Sequence, residues 1–162
     1  MGQPLSVRIP TSIGYIRLGN LEVGDKLFGV KGQEILVTEI IDNESSEIYR
    51  VLFDDGRRAL CCKEQLWDVK YDGHISQIIS LGELMFGARY RHLPYHLHPS
   101  PVSVMKKHQF FQSEAKNEYS HAPIIVDIRY FHEEPSRSIS VDVDDGLYLT
   151  EDLIVTHGSN YK

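Results

Sequence analysis

The sequence predicts an all-β domain made of two related halves. Its apolar residues fall in short segments rich in Val, Ile and Tyr, residues that favour strands: EILVTEII, EIYRVLF, PIIVDIRYF, SISVDV and GLYLT. Turn residues bound these segments, with the tripeptide DDG at 54–56 and again at 144–146. When the sequence is compared with itself, segments of the first half recur in the same order in the second half.

Size and charge narrow the class of protein. The 162 residues are 41% hydrophobic and 25% charged, as expected of one folded domain. The net charge of −6 argues against a nucleic-acid-binding protein, whose basic surface normally dominates its charge. There is no run of 18 apolar residues and no secretory signal, so we expect no membrane span. The only cysteines, Cys61 and Cys62, are adjacent and cannot join distant segments, which favours a reducing, cytoplasmic compartment. We also expect a monomer.

The internal repeat has two parts. The pattern IxLGxLxVG at 16–24 recurs as IxLGxLxFG at 79–87, an offset of 63, and each copy predicts a single helical turn followed by a strand. At an offset of 90, ILVTEI matches IVDIRY, and YRVLFDDG matches ISVDVDDG. The offsets differ by 27 residues, which places an irregular insertion at about 91–118. Two copies with a long period indicate duplication rather than a solenoid. The alternative is that LGxLxxG is a favourable turn used twice.

The end of the chain, LYLTEDLIVTHGSNYK, predicts a strand from Leu147 to Val155 that runs into Thr156 and His157. A Thr-His pair followed by Gly158 has little purpose in an ordinary strand. It suggests chemistry near the carboxyl end.

Three segments resemble, in order, the amino-terminal, middle and carboxyl-terminal splicing blocks of inteins: TSIGYIRLGNLEVGDKLFG, YRVLFDDGRRALCCKEQLW and RSISVDVDDGLYLTEDLIVTH. The resemblance covers roughly residues 2–159. It implies the Hint horseshoe fold, an all-β duplicated domain, and autocatalytic protein splicing in a single turnover. The length leaves no room for a homing-endonuclease insert, so the chain looks like a mini-intein. Residues 2–158 would form the splicing domain, with residue 1 and 159–162 as flanks.

The resemblance assigns roles at the carboxyl end. His157 matches the penultimate histidine, which assists cyclisation by donating or shuttling a proton. Ser159 stands where the first downstream nucleophile belongs. Two positions depart from the pattern. Gly158 replaces the cyclising Asn and has no side chain to attack with. Gln65 replaces the middle-block histidine; it can hold a carbonyl by hydrogen bonding but cannot act as an acid.

The amino-terminal junction lacks the usual Cys or Ser. Counting without gaps places Gly2 at the first position, and a two-residue deletion would place Pro4 there. One subgroup, the class 3 inteins, dispenses with that nucleophile. It uses an internal Cys, a Trp in the middle block and a Thr before the penultimate His. Trp67 and Thr156 match, and the internal nucleophile falls on Ser138, whose hydroxyl is a weaker nucleophile than a thiol.

Ordinary structural roles compete with these assignments. Trp67 alone would be a core residue, and Ser138 alone would be a solvent-facing strand residue. The cysteines are expected to be packing residues, and the DDG acids at 54–56 and 144–146 to form hairpin turns. A histidine cluster lies in the insertion: His92, His96 and His98. It has no fourth ligand at a recognisable spacing, so we expect solvated histidines and neither metal nor cofactor.

The sequence therefore predicts an autoprocessing domain in a bacterial or phage host, whose partners are its own flanking segments. Ser138 and Gly158 are expected to slow or stop splicing, as in a trapped or decayed precursor. Two alternatives remain. One is a non-catalytic Hint-fold module used for binding, and the other is a Hint domain that cleaves at one junction without ligation.

Overall fold

A computed structural model describes residues 2–71, 76–87, 95–111 and 117–159. The strands are β1 Gln3–Pro4, β2 Arg8–Thr11, β3 Gly14–Arg17, β4 Lys26–Phe28, β5 Glu34–Phe53, β6 Arg58–Cys61, β7 Leu66–Tyr71, β8 Ser76–Ser80, β9 Tyr95–His96, β10 Ile125–Val141, β11 Leu147–Leu149 and β12 Val155–His157. The α-helices are α1 Leu81–Gly87 and α2 Val102–Met105, and 3₁₀ turns lie at Leu18–Asn20, Gln109–Phe111, Asn117–Ser120 and Glu151–Leu153. The predicted all-β class is confirmed. The two helices in the described ranges are too short to form an endonuclease insert there.

Two long antiparallel strands, β5 and β10, pair with each other along most of their length. Their register brings Val37 opposite Val141 at one end and Phe53 opposite Ile125 at the other. Segments that the sequence suggested as four separate strands are therefore two continuous ones. One five-stranded sheet has the order β1-β10-β5-β4 with β6 on β5, and another has the order β11-β12-β7-β8 with β9 on β7. Strands β2 and β3 form a separate two-stranded sheet.

The turns that follow the two long strands are structurally equivalent. Gly56 and Gly146 both have positive φ, 88° and 69°, a conformation that glycine adopts without strain. Each glycine N–H donates to the carbonyl three residues earlier at 3.0 Å. The carboxylates of Asp55 and Asp145 each accept the backbone N–H two residues on, at 3.0 and 2.9 Å. The two DDG turns therefore repeat the same hydrogen bonds at an offset of 90. The predicted hairpin turn is confirmed at 54–56, which joins the paired strands β5 and β6, but it is wrong at 144–146, because β10 and β11 lie in different sheets.

The repeated LG pairs are equivalent as well. Leu18 and Gly19 donate their backbone N–H groups to two carbonyls of the preceding segment, at 2.8 and 2.9 Å. Leu81 and Gly82 do the same at 3.0 and 2.8 Å. In both cases the two acceptor residues are two apart in sequence. The repeat is therefore a duplication in three dimensions, with β5 and β10 related by a pseudo-two-fold axis.

The prediction of one strand from Leu147 to Val155 is wrong. The chain forms a hairpin in which β11 and β12 pair antiparallel, with Leu147 opposite His157. Between them Asp152 and Leu153 adopt left-handed conformations, with φ of 55° and 57°. These residues reverse the chain within a few positions. Apolar residues alternate in the sequence through this tight turn. The pattern alone therefore does not distinguish a hairpin from one continuous strand.

The core consists of three apolar clusters. One lies under the first DDG turn and includes Trp67, and a second lies between β2, β4 and the end of β10. In the third, Val102, Met105 and Phe111 pack against the β11–β12 hairpin. These three residues belong to the predicted insertion at about 91–118. The helical turns of the insertion therefore pack on the hairpin and support the position of β12, whereas its strand β9 pairs with β7.

No helix in the part of the chain that the structure describes is long and apolar enough to cross a bilayer.

Candidate functional site

The amino and carboxyl ends of the described chain meet on β10. Gly2 lies against the backbone of Arg137 and Ser138, close enough that a Cβ atom on Gly2 would lie 2.9 Å from the Ser138 nitrogen. On the next residue of the strand, the carbonyl of Ile139 accepts a 2.8 Å hydrogen bond from the Ser159 N–H. Two positions that are 157 residues apart therefore contact successive residues of one strand.

Gly2 rather than Pro4 is the junction candidate that lies next to Ser138. Strand β1 pairs antiparallel with β10, so that Pro4 is opposite Ser136. The Gly2 carbonyl accepts a 2.8 Å hydrogen bond from the Cys62 N–H. Gly2 has a φ of 124°, a conformation in which side-chain-bearing residues are strained. The amino end is thus held on both sides, by β10 and by the residue after β6.

Ser138 is buried, with 6% of its surface exposed. The interpretation of Ser138 as an ordinary solvent-facing strand residue is therefore wrong. Its backbone lies against Gly2, at the edge of β10 that pairs with β1. The Ser140 hydroxyl, two residues along the strand, lies 2.9 Å from the Ser159 hydroxyl. Side chains two apart on a strand share a face, so Ser138 and Ser140 both belong to the face that meets the chain ends.

Gln65 connects the middle segment to β12. Its side-chain amide donates to the Thr156 hydroxyl at 2.8 Å and to the His157 carbonyl at 3.0 Å. The Thr156 hydroxyl in turn donates to the Leu66 carbonyl at 3.1 Å. Gln65 and Thr156 are both buried. The residue in place of the middle-block histidine is therefore a donor to the strand that ends at His157.

His157 is buried beside Gly158 and Gly146. Its Nδ1 atom lies 2.5 Å from the Gly158 carbonyl oxygen. Since a carbonyl only accepts hydrogen bonds, Nδ1 carries the proton in this arrangement. The Gly158 N–H donates to the Gly146 carbonyl at 2.7 Å. The bond after His157 is thus held at both its N–H and its C=O groups, next to an imidazole.

Trp67 lies in the core under these residues, 1% exposed. Its indole N–H is buried and has no geometrically acceptable hydrogen-bond acceptor in the described residues. Burial raises the pKa of the nearby Cys61 thiol well above its usual value, Cys62 adds to that rise, and Trp67 acts in the opposite direction. A thiol with a raised pKa is a poor nucleophile. Cys61 and Cys62 are both buried and free, in agreement with their expected role in packing.

A buried polar network that sequence reasoning missed joins the amino end to β11. The Tyr148 hydroxyl donates to the Gln3 side-chain oxygen at 2.8 Å, and the Gln3 amide donates to the Thr150 hydroxyl at 2.9 Å. Burial raises the pKa of Tyr148, while a hydrogen bond with Gln65 acts in the opposite direction. Tyr148 therefore remains a neutral donor. A polar residue beside the junction, Gln3, was the available signal.

Glu151 is a second residue that the sequence did not suggest. Its carboxylate accepts the Leu60 N–H at 2.9 Å, which joins the β11–β12 turn to β6. Burial raises its pKa to about 7, and the Leu60 N–H acts against that rise. Since β6 leads directly to Cys62, this bond links the turn before β12 to the segment that holds the Gly2 carbonyl.

Only two of the three histidines in the predicted cluster belong to the described residues. His92 lies outside the described residues. His96 and His98 line a cavity of about 270 Å³ with Lys70, and the His98 Nε2 atom lies 2.9 Å from an Asp68 carboxylate oxygen. Among the described residues no group of three or more His, Cys, Asp or Glu side chains could hold a metal. The cavity is formed by other residues than those around β10 and β12.

Comparison with solved structures identifies the architecture. The MchDnaB-1 intein matches with a TM-score of 0.69 and 22% identity over 96% of this chain and 99% of its own. The gp41-1 intein matches with a TM-score of 0.69 and 16% identity over 97% and 98%. The chain has the fold of an intein. A DnaB intein from Synechocystis sp. PCC 6803 matches with a TM-score of 0.68 and 13% identity over 98% of each chain.

The intein fold therefore extends over nearly the whole chain. No protein-family model and no curated protein sequence matches the chain. In this intein fold the arrangement has three chemical elements. These are the buried Ser138 beside Gly2, the Ser159 hydroxyl that packs against the same strand, and the His157 imidazole beside the Gly158 carbonyl.

Proposed function

We propose that this chain is a self-processing domain of intein type that acts once on its own flanking segments through Ser138. The observation that carries the proposal is the meeting of Gly2 and Ser159 on successive residues of β10, with Ser138 buried between them. A domain that binds a separate partner has no need to bring both its ends to one buried serine.

In the first step the Ser138 hydroxyl attacks the carbonyl carbon of the peptide bond that precedes Gly2. A C–O bond forms, the C–N bond breaks, and the proton of the hydroxyl ends on the Gly2 nitrogen. The Cys62 N–H and β10 hold Gly2 on both sides during this step, so that attack takes place within a fixed geometry. The product is an ester on Ser138.

In the second step the Ser159 hydroxyl takes the acyl group from Ser138. One ester bond forms as the other breaks, and the proton lost by Ser159 ends on Ser138. No activated co-reactant is needed. Gln65 and Thr156 position β12, because Gln65 donates both to the Thr156 hydroxyl and to the His157 carbonyl. This organisation, with Trp67 and Thr156 present and no nucleophile at Gly2, is the class 3 type.

The third step is blocked. Release requires a side-chain amide before the downstream junction, and position 158 is glycine. His157 is in place beside the Gly158 carbonyl, at 2.5 Å, but has no attacking group to assist. We propose that the reaction stops at the branched ester, and that a hydroxyl instead of a thiol at Ser138 slows the first step.

We also propose the domain boundaries, which the contacts of Gly2 and Ser159 with β10 support. Residues 2–158 form the domain, while residue 1 and residues 159–162 belong to the flanks. The partners of the domain are those flanks, within one precursor, which is consistent with action as a monomer in the cytoplasm of a bacterial or phage-infected cell.

The test is a fusion of the full chain between two reporter proteins, treated with hydroxylamine. Hydroxylamine cleaves esters. We therefore expect it to release the upstream reporter as a hydroxamate, whose mass shows that the bond before Gly2 was broken. The Ser138→Ala fusion should release none. Release that is equal in the two fusions, or absent from a folded Ser138 fusion, would contradict the proposal and favour a non-catalytic module.

A further inference from the structure

We propose that Ser140 is a positioning residue that orients the Ser159 hydroxyl for acyl transfer from Ser138. This inference rests on the proposed function, because it concerns the second step of that reaction. The observation behind it is the 2.9 Å contact between the Ser140 and Ser159 hydroxyl oxygens.

The Ser159 residue is held at two points by adjacent residues of β10. Its backbone N–H donates to the Ile139 carbonyl at 2.8 Å, and its side-chain oxygen meets that of Ser140. The first bond fixes the position of the Ser159 backbone. The second selects the direction of its hydroxyl, since a hydroxyl otherwise rotates freely.

Ser140 also lies on the correct face of the strand. Residues 138 and 140 are two apart, so their side chains point to the same side of β10, with backbones separated by about 6.6 Å. Both serines are buried, at 6% and 5% exposure. A hydrogen bond between neutral groups is stronger when it is shielded from water. Ser140 therefore holds the acceptor hydroxyl near the group from which the acyl unit departs.

The chemical consequence is the direction of the Ser159 lone pairs. When the Ser159 hydroxyl donates its hydrogen to the Ser140 oxygen, its lone pairs are free to meet the ester carbon on Ser138. A bond forms from the Ser159 oxygen to that carbon, and the bond from the Ser138 oxygen breaks. The proton lost by Ser159 is finally carried by the released Ser138 hydroxyl. Ser140 is unchanged at the end of the step.

The strand supplies its own control. Ser136 is a third buried serine on the same face, but its hydroxyl lies 2.8 Å from that of Ser46, on β5. Removal of the Ser136 hydroxyl also costs a partly buried hydrogen bond on β10, without a change at Ser159. If the loss of any serine hydroxyl on β10 slows acyl transfer, Ser136→Ala and Ser140→Ala should both be slow. If Ser140 positions Ser159, only Ser140→Ala should be slow.

The experiment uses the full chain between two reporters, with Ser138→Cys in every fusion. The first step then gives a thioester at position 138, which dithiothreitol cleaves, and the second gives an ester on Ser159, which resists dithiothreitol and yields to alkali. Because Gly158 blocks release, the branched ester accumulates. The rate at which the dithiothreitol-sensitive thioester is converted to the resistant ester therefore measures the second step alone.

We expect Ser140→Ala to slow this conversion by roughly fivefold or more, the factor for one hydrogen bond, with unchanged formation of thioester. Ser140→Thr, which keeps the hydroxyl, should restore the conversion, and Ser136→Ala should convert like the parent. Equal slowing in Ser136→Ala and Ser140→Ala would overturn the proposal, as would an unaffected Ser140→Ala or an ester mapped to Ser140 itself. If no thioester forms in the parent fusion, the proposed function fails, and this inference fails with it.

Discussion

Gly146 provides the space that the His157 imidazole occupies. A Cβ atom on Gly146 would lie 2.6 Å from the ring carbon Cε1 and 2.7 Å from Nε2. Gly146 belongs to the turn after β10, and its carbonyl accepts the Gly158 N–H. The turn that ends the strand carrying Ser138 therefore also sets the position of the imidazole at the other junction. This glycine has an equivalent in the duplicated half, Gly56. Apart from Gly56 and its two neighbours in sequence, no atom of the described residues lies within 4 Å of a Cβ position there.

Replacement of Gly146 by Ala should destabilise the domain more than replacement of Gly56. Both glycines have positive φ, so each alanine carries a left-handed penalty of about 1–2 kcal/mol. Only Gly146→Ala adds a clash with His157, which costs roughly a further 1–3 kcal/mol for an overpacked site. Urea unfolding of the two variants measures the difference. Equal losses of stability would show that the His157 ring moves away without cost.

Replacement of Gln65 by Ala should destabilise the domain by about 1–3 kcal/mol. The variant loses the buried side-chain amide that donates two hydrogen bonds, and the buried acceptors of those bonds remain unsatisfied. The acceptors are the Thr156 hydroxyl and the His157 carbonyl. Gln77→Ala, at an exposed position of β8, should change the stability by less than about 0.5 kcal/mol. Urea midpoints that coincide for the two variants would contradict the role given to Gln65.

The carboxyl group of Glu151 should make stability depend on pH. Burial raises its pKa from 4.5 to about 7 in the folded state. Between these two pKa values the folded protein keeps the Glu151 proton, whereas the unfolded chain has lost it. The contribution of Glu151 to the free energy of unfolding therefore falls as the pH rises from about 4.5 to about 7. Glu151→Gln should remove that contribution and gain stability relative to the parent across the same window.

The measurement is the difference in free energy of unfolding between parent and Glu151→Gln at several pH values. Glu44→Gln, which changes an exposed glutamate on β5, serves as the control for loss of one carboxylate. A difference for Glu151→Gln that does not change between pH 4.5 and 7 would show that this carboxyl is as well solvated in the folded state as in the unfolded chain.

The duplication could be predicted from the sequence because turns and LG pairs repeat at fixed offsets. Gly56 and Gly146 require the same backbone conformation, and that requirement leaves the same residue type in both halves. The β11–β12 hairpin could not be predicted in this way. Its reversal depends on left-handed Asp152 and Leu153. Asp adopts this conformation more often than most residues, but Leu rarely does, so the pair gives no clear local sign of the turn.

The candidate site, like the fold, could be predicted from the sequence only in part. Resemblance to known splicing blocks placed Ser138, His157 and Ser159 in order along the chain. It did not show that Ser140 meets Ser159, or that Gln3 bonds to Tyr148, since both contacts depend on the register of strands distant in sequence. Such pairings become visible only when the sheets are assembled.

The measurement that tests the account most directly is the product mass of a double variant, Ser138→Cys with Gly158→Asn, fused between two reporters. These changes restore a thiol at the internal nucleophile and an amide that can cyclise beside His157. We predict that the double variant yields the two reporters joined by a peptide bond and a separate excised domain. The unaltered fusion should yield no ligated product. A folded double variant that remains intact, or releases reporters without joining them, would contradict the account.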